Sequence, residues 1–252
     1  MGAPGCDDAP VVSVPLGPDA KRITMVYPYY ENADFFGQQL AVWSAYSADL
    51  RTNLRFVVVD DGSPTRPAVD VLRSVRIDGL RLFRIGVDVR WNWLAARNIG
   101  AAHSRDGWLL LTDMDHVVPE DTLRHLTYGL HDPRVIYRFS RVEHTGERIH
   151  PHPNSWFMTR DMFWKIGGYD EACSGYYGTD GDYRRRCAAT AKIKILTNYL
   201  VRHEYQGDSS TTGYKRKQPE DAEAKRIMRR RGPGWKPLTL SFPYDKVDPW
   251  QR

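Results

Sequence analysis

Cysteine is scarce: Cys6, Cys173 and Cys187 are the only three in 252 residues. An odd number so widely spaced builds neither a disulfide framework nor a zinc knuckle, so a reducing compartment is expected. Long apolar runs are also missing, and none approaches the roughly 18 residues of a membrane span. The start, Met1 to Asp8, lacks the basic and apolar regions of a secretory signal, and Cys6 stands where a myristoylation signal needs Ser or Thr. These absences lead to the expectation of a soluble, cytoplasmic protein. No internal repeat is visible. With 41% hydrophobic residues the chain can bury a real core, which excludes wholesale disorder.

Charge is unevenly spread. Residues 214–236 carry nine bases and three acids, a net +6, against +5 for the whole protein, so the remainder is about −1. A polyanion contact would explain this. So would a solvated terminal helix, with Pro219 at its start, acids first, bases last, and Gly232-Pro233 as its stop. Residues 1–20, with four prolines and three glycines, read as a flexible arm.

Between these ends, strands and helices alternate. Ile23–Tyr27, Phe56–Val59, Leu80–Ile85, Trp108–Leu111 and Val135–Phe139 read as strands. Phe35–Leu50, Pro64–Ser74, Leu94–Ser104, a segment from Pro119, Met158–Ile166 and Asp182–Ala191 read as helices. Ile193–Leu196 and Tyr199–His203 read as two short strands. Residues 140–156, rich in His and Pro, fit a long functional loop, as does the Gly- and Tyr-rich 169–179. The alternation predicts an α/β fold with a mostly parallel central sheet and helices on both faces. One domain is expected over 21–213, with a first half at 21–118 and a second at 119–213, followed by a basic helix and tail at 214–252.

The strongest chemical signal is Asp113-Met114-Asp115, closing the apolar run Trp108-Leu109-Leu110-Leu111-Thr112. Open α/β sheets bind ligands at the carboxyl ends of their strands. Two carboxylates held close repel unless a cation lies between them, and hard oxygen ligands favour Mg²⁺ or Mn²⁺. Such an ion is suited to bridging nucleotide phosphates.

Six motifs occur in a set order: Tyr27-Pro28-Tyr29-Tyr30-Glu31, Val59-Asp60-Asp61-Gly62-Ser63, Ala95-Ala96-Arg97-Asn98-Ile99-Gly100, Asp113-Met114-Asp115, Gly167-Gly168-Tyr169-Asp170-Glu171 and Gly178-Thr179-Asp180-Gly181-Asp182. Together, over about Ile23 to His203, this order resembles the family 2 glycosyltransferases of the GT-A fold. The resemblance implies a metal-dependent, inverting transfer of a sugar from a nucleotide-diphosphate donor, a UDP-sugar first, to an acceptor hydroxyl. It implies that Pro28, Tyr30, Asp60 and Asp61 line the nucleoside pocket and that Arg97 faces the nucleotide. It further implies Asp115 as the main ligand of Mn²⁺ or Mg²⁺. Asp113 would meet sugar or ribose hydroxyls, or the metal through water. His203 would be a further ligand, with His116 as another candidate. The catalytic base would be Asp180, with Asp182 as runner-up; Thr179, where the family commonly has Glu, puts acceptor recognition in question.

Trp156, Tyr176 and Tyr177 are candidates for stacking on sugar or base, and His150 and His152 for an acceptor loop. The acceptor stays open between a glycan or similar hydroxyl compound and DNA carrying hydroxymethylated bases, which the basic segment would hold. A catalytically silent polyanion-binding protein is the rival from another class. A sugar nucleotidyltransferase would want a Gly-rich phosphate loop where the bulky Tyr27-Pro28-Tyr29-Tyr30 stands.

Overall fold

The computed structural model describes residues 9–105, 107–203, 218–231, 235–237 and 239–250. Residues 1–8 of the arm expected over 1–20 and the bases Lys215, Arg216 and Lys217 lie outside the described residues.

The strands are β1 (Val11–Val12), β2 (Ile23–Tyr29), β3 (Leu54–Asp60), β4 (Leu80–Ile85), β5 (Trp108–Leu111), β6 (His116–Val117), β7 (Val135–Glu143), β8 (Arg148–Ile149), β9 (Trp156–Thr159), β10 (Lys192–Arg202) and β11 (Tyr244–Val247). The helices are α1 (Ala33–Ala45), α2 (Ala48–Arg51), α3 (Ala68–Leu72), α4 (Trp93–Ala102), α5 (Glu120–Tyr128), α6 (Arg160–Ile166), α7 (Asp180–Thr190) and α8 (Asp221–Arg230).

One mixed sheet runs in the order β1-β10-β7-β9-β5-β2-β3-β4-β11, with β6 on β10 and β8 on β7. β2 pairs in parallel with β3 and β5, and β3 with β4; β7 pairs in parallel with β10. Antiparallel β9 joins these two parallel halves by pairing with both β5 and β7. Side chains alternate across β2: Met25, Tyr27 and Tyr29 enter the core under α1, α2, α3 and α5, while Val26 enters the core under α4, α6 and α7. Because both faces are covered, β3 and β5 read as continuous apolar runs rather than alternating ones.

Several elements differ from the sequence expectation. The helix over Phe35–Leu50 breaks at Tyr46, whose backbone is extended and whose hydroxyl donates to Val118 O at 2.7 Å. The two short strands after Ile193 are one strand, β10, whose register shifts between Leu196 and Tyr199. Residues 9–20 run along the sheet, with β1 on β10 and Leu16 bridged to Gly129. The C-terminal segment is built into the same sheet: β11 covers the open edge of β4, and Trp250 Nε1 donates to Leu72 O and Val75 O.

Candidate active site

A cavity of about 400 Å³ opens where β2, β3 and β5 end. It is lined by Pro28, Tyr30, Asp61, Asp113, Asp115, Tyr176, Tyr177, Asp180 and His203 among the residues singled out from the sequence. Asp60, Arg97, Trp156 and Asp182 do not line it.

Asp60 closes a turn instead: its carboxylate accepts from Ser63 N and Ala68 N, both at 2.8 Å, and so starts α3. Asp61 turns the other way. Its Oδ1 has no hydrogen-bond partner among the described residues. Burial, reinforced by Asp60 and Asp88, pushes its carboxyl well above the usual range. The adjoining loops are tied by Glu31, which accepts from Thr65 N at 2.7 Å and Arg66 N at 3.1 Å, while its own N–H donates to Ser63 Oγ at 3.0 Å.

Arg97 is fully buried. Its guanidinium lies over the rings of Trp93 and Tyr169 at 5.0 and 5.6 Å and donates to Tyr169 Oη, Asn154 O and Asp113 Oδ1. Its partner is therefore the pocket carboxylate rather than the open cavity. The other oxygen of Asp113 faces His152 Nε2 at 3.4 Å.

Asp115 Oδ1 lies 2.6 Å from His116 Nδ1. Burial pushes the Asp115 carboxyl up, but the charge and hydrogen bond of His116, with the charges of His152 and Arg202, together hold the group far below the carboxylate range. His116 is buried behind Asp115, its ring 4.3 Å from that of His152. β6 pairs with the end of β10, and this pairing carries His203 to Asp115: the His203 N–H donates to Asp115 O at 2.9 Å. Burial lowers the His203 pKa, which favours the neutral, ligating imidazole. Buried Gln39 on α1 donates to Met114 O and His116 O at 2.9 and 2.7 Å and so fixes the loop that carries Asp115.

Among the described residues, no three His, Cys, Asp or Glu side chains converge as a metal set. The donors nevertheless suit a hard or borderline divalent ion: Asp115 and His203 face one cavity, side by side. Such an ion would draw its remaining ligands from bound oxygens and water.

Asp180 opens α7, and its Oδ1 accepts from Asn154 Nδ2 at 2.5 Å. Asn154 thereby touches both Asp180 and Arg97, linking the two sides of the cavity. Asp182 instead pairs with Arg185 at 3.1 Å and Arg186 at 2.9 Å, and Arg186 also holds Ile166 O and Gly168 O. Trp156 is core, beneath the Arg138 guanidinium at 5.2 Å. Of the two loop histidines, His152 lines the cavity and His150 does not.

Sequence reasoning missed Gln39, Trp91, Trp93, Asn154 and Arg202. Gln39 did leave a signal, a lone amide on the apolar stripe Phe36, Leu40, Trp43. The others stand in loops or at element ends, where no periodicity marks them.

A family model described as Glycosyl transferase family 2 matches residues 39–190. No curated protein sequence matches. Among solved structures, S. aureus TarS 1-349 in complex with UDP-GlcNAc superposes with a TM-score of 0.62 at 13% identity, covering 82% of this chain and 65% of that one. The mannosyltransferase PcManGT from Pyrobaculum calidifontis, in complex with GDP-Man and Mn²⁺, gives 0.61 at 18% identity, covering 90% and 71%. GalNAc-T7 with UDP, GalNAc and Mn²⁺ gives 0.60 at 13% identity, covering 83% and 48%. The chain thus spans about two thirds of the first of these and about half of the last. The shared architecture is the GT-A fold.

Proposed function

The chain belongs to glycosyl transferase family 2, and from that premise we propose that it moves a sugar from a nucleotide-diphosphate donor to an acceptor hydroxyl, with a divalent metal ion. The observation that carries this reading is the convergence of Asp61, Asp113, Asp115, His203 and Asp180 on one cavity at the strand ends.

Each group has a part. Asp61 Oδ1, buried and unpartnered, accepts an N–H from the base, for which uracil is our first choice. Pro28 and Tyr30 flank the nucleoside. Asp113, held by Arg97, receives sugar or ribose hydroxyls. Asp115 and His203 hold the ion, Mn²⁺ or Mg²⁺. When bound, the ion neutralises charge on the departing diphosphate. Asp180 takes the proton of the acceptor hydroxyl as its oxygen attacks the anomeric carbon. Attack opposite the leaving group inverts the anomeric configuration. Asn154 keeps the Asp180 carboxylate aimed into the cavity.

A glycan or similar hydroxyl compound is the first acceptor. The exposed bases Lys225, Arg229 and Arg230 on α8 support a second reading, DNA with hydroxymethylated bases, and salt-sensitive retention of duplex DNA separates the two.

The test is calorimetry of UDP, with GDP as comparison, with and without Mn²⁺, on the wild type and Asp115→Ala. Wild-type affinity should rise with metal and the variant's should not. Equal metal-dependent affinity in both proteins would sink the assignment.

A further inference from the structure

The segment 174–179 carries Tyr176 and Tyr177 into the cavity and runs directly into Asp180. Within it the two tyrosines are flanked by glycines in the left-handed region, Gly175 at φ +92° and Gly178 at φ +82°. A side chain at Gly178 would meet nothing within 4 Å, so this glycine supplies backbone freedom rather than clearance. Such a segment needs external ties to hold one pose.

The carboxylate at the centre of those ties, Asp221, lies outside the stretch matched by the family model, which ends at 190. Asp221 Oδ1 accepts from Tyr177 N at 2.8 Å and from Arg90 Nη2; Asp221 Oδ2 accepts from Gln218 N at 2.8 Å. Arg90 Nε also donates to Gly175 O at 3.3 Å. Next to Arg90, the Trp91 ring lies 5.3 Å from that of Tyr177. One carboxylate thus gathers donors from the loop, from the opposite wall and from the approach to α8.

An acid in the first turn of a helix is ordinarily a solvated partner of the helix dipole. Asp221 departs from that pattern. Its side chain is 8% exposed, and all the donors it accepts lie outside α8. α8 itself is docked by Ala224, with Ile227 and Met228 packed on the core, so the carboxylate sits on a fixed support.

We infer that Asp221 is a positioning residue of the cavity: it fixes the 174–179 loop, and with it Tyr177 and the entry to the helix bearing Asp180. The C-terminal helix is then part of the site. The consequence for catalysis rests on the glycosyltransferase reading; the consequence for the loop does not.

The experiment is amide hydrogen exchange on the full chain, comparing the wild type with Asp221→Ala and Asp221→Asn. Asp221→Ala should speed exchange in the peptide spanning 174–179 by about fivefold to tenfold, as loss of one hydrogen bond would, leaving β2, β3 and β5 unchanged. Asp221→Asn keeps an acceptor oxygen and should restore most of the protection. Should Asp221→Ala not fold, Arg90→Ala is the second variant, with the same loop-confined result expected. In parallel, UDP affinity with Mn²⁺ should stay within about twofold, while UDP release from UDP-GlcNAc should fall about tenfold or more. Unchanged exchange at 174–179, or faster exchange across the whole molecule, overturns the proposal. If UDP fails to bind the wild type, the functional reading fails while the loop result stands on its own.

Discussion

Neighbouring carboxylates in this chain have different fates, and residue geometry says why. Asp60 and Asp61 are consecutive at a strand end, so their side chains point to opposite sides; only Asp61 meets the cavity. Asp113 and Asp115 stand on a tight turn between β5 and β6, closed by the His116 N–H donating to Asp113 O at 3.1 Å, and both line it. Asp180 and Asp182 are two apart on a helix, roughly 200° around it, so they cannot face the same way. Asp180→Asn should therefore lower transfer by about 10²–10⁴-fold with nucleotide affinity unchanged, measured by steady-state rates and calorimetry. Asp182→Asn should spare turnover and lower the melting midpoint, because it weakens the Arg186 bridge that holds Gly168 O. Turnover lost in Asp182→Asn and retained in Asp180→Asn would reverse the two assignments. The sequence contained both acids but not their directions, since the helix start at Asp180 follows a loop whose anchor, Asp221, lies some 40 residues on. Arg97 was legible as a partner for phosphate or carboxylate; that the carboxylate takes it follows from its full burial.

At the scale of elements, α4 and β2 meet through Gly100. A Cβ placed there would lie 2.3 Å from Val26 Cγ1. The close approach sets the depth of the helix whose Arg97 holds Asp113 and whose Asn98 donates to Tyr169 O at 2.9 Å. Gly100→Ala should destabilise by about 1–3 kcal/mol, the usual cost of overpacking, and should also weaken nucleotide binding by shifting Arg97. Val26→Ala alone removes two methyl groups and should cost stability too. Combined, the two should cost less than their sum, because the new methyl fills the space Val26 vacates. Additive losses in chemical denaturation would show that helix and strand do not couple at this point. Elements with strong periodicity or β-branched runs, such as β3, β4 and α4, were readable within a residue or two. Three features were not. The break after α1 is set by Val118 and by Glu120, which accepts from Ser47 N, both some 70 residues away. The bulge in β10 reflects its register on β7. β11, Tyr-Asp-Lys-Val, is half polar and becomes a strand because the edge of β4 is there to pair with.

Across the whole molecule, β9 is the joint between two parallel halves, one ending in Asp61 and Asp113, the other leading through β10 to His203. Aromatic rings lock the joint: Trp108 of β5 stacks on Phe157 of β9 at 4.7 Å, and His131 lies 5.1 Å from Phe157 and 4.9 Å from Tyr137 of β7. His131 Nδ1 lies 3.0 Å from Gly129 O. Burial pushes its pKa down to about 4, with the charges of Lys21 and His125 adding to the shift and the Gly129 contact opposing it. An unfolded histidine titrates near 6.5. Between about 4 and 6.5 the unfolded chain therefore binds a proton that the folded chain refuses, so stability rises with pH across this window. The contribution is whole above about 6.5 and is lost as pH falls toward 4, at most about 3 kcal/mol from this one group. His131→Gln keeps a donor for Gly129 O and does not titrate. Urea unfolding free energies of both proteins from pH 7 to pH 4.5 share the other titrating groups, the lowered histidines His103, His152 and His203 and the raised carboxyls Asp60, Asp61, Asp113 and Glu171, so the difference between the two curves isolates His131. The wild type should lose stability relative to the variant as pH falls. Parallel curves would mean that the joint is open enough to admit a charged imidazole, and that the two halves of the sheet are less tightly locked than their ring contacts imply.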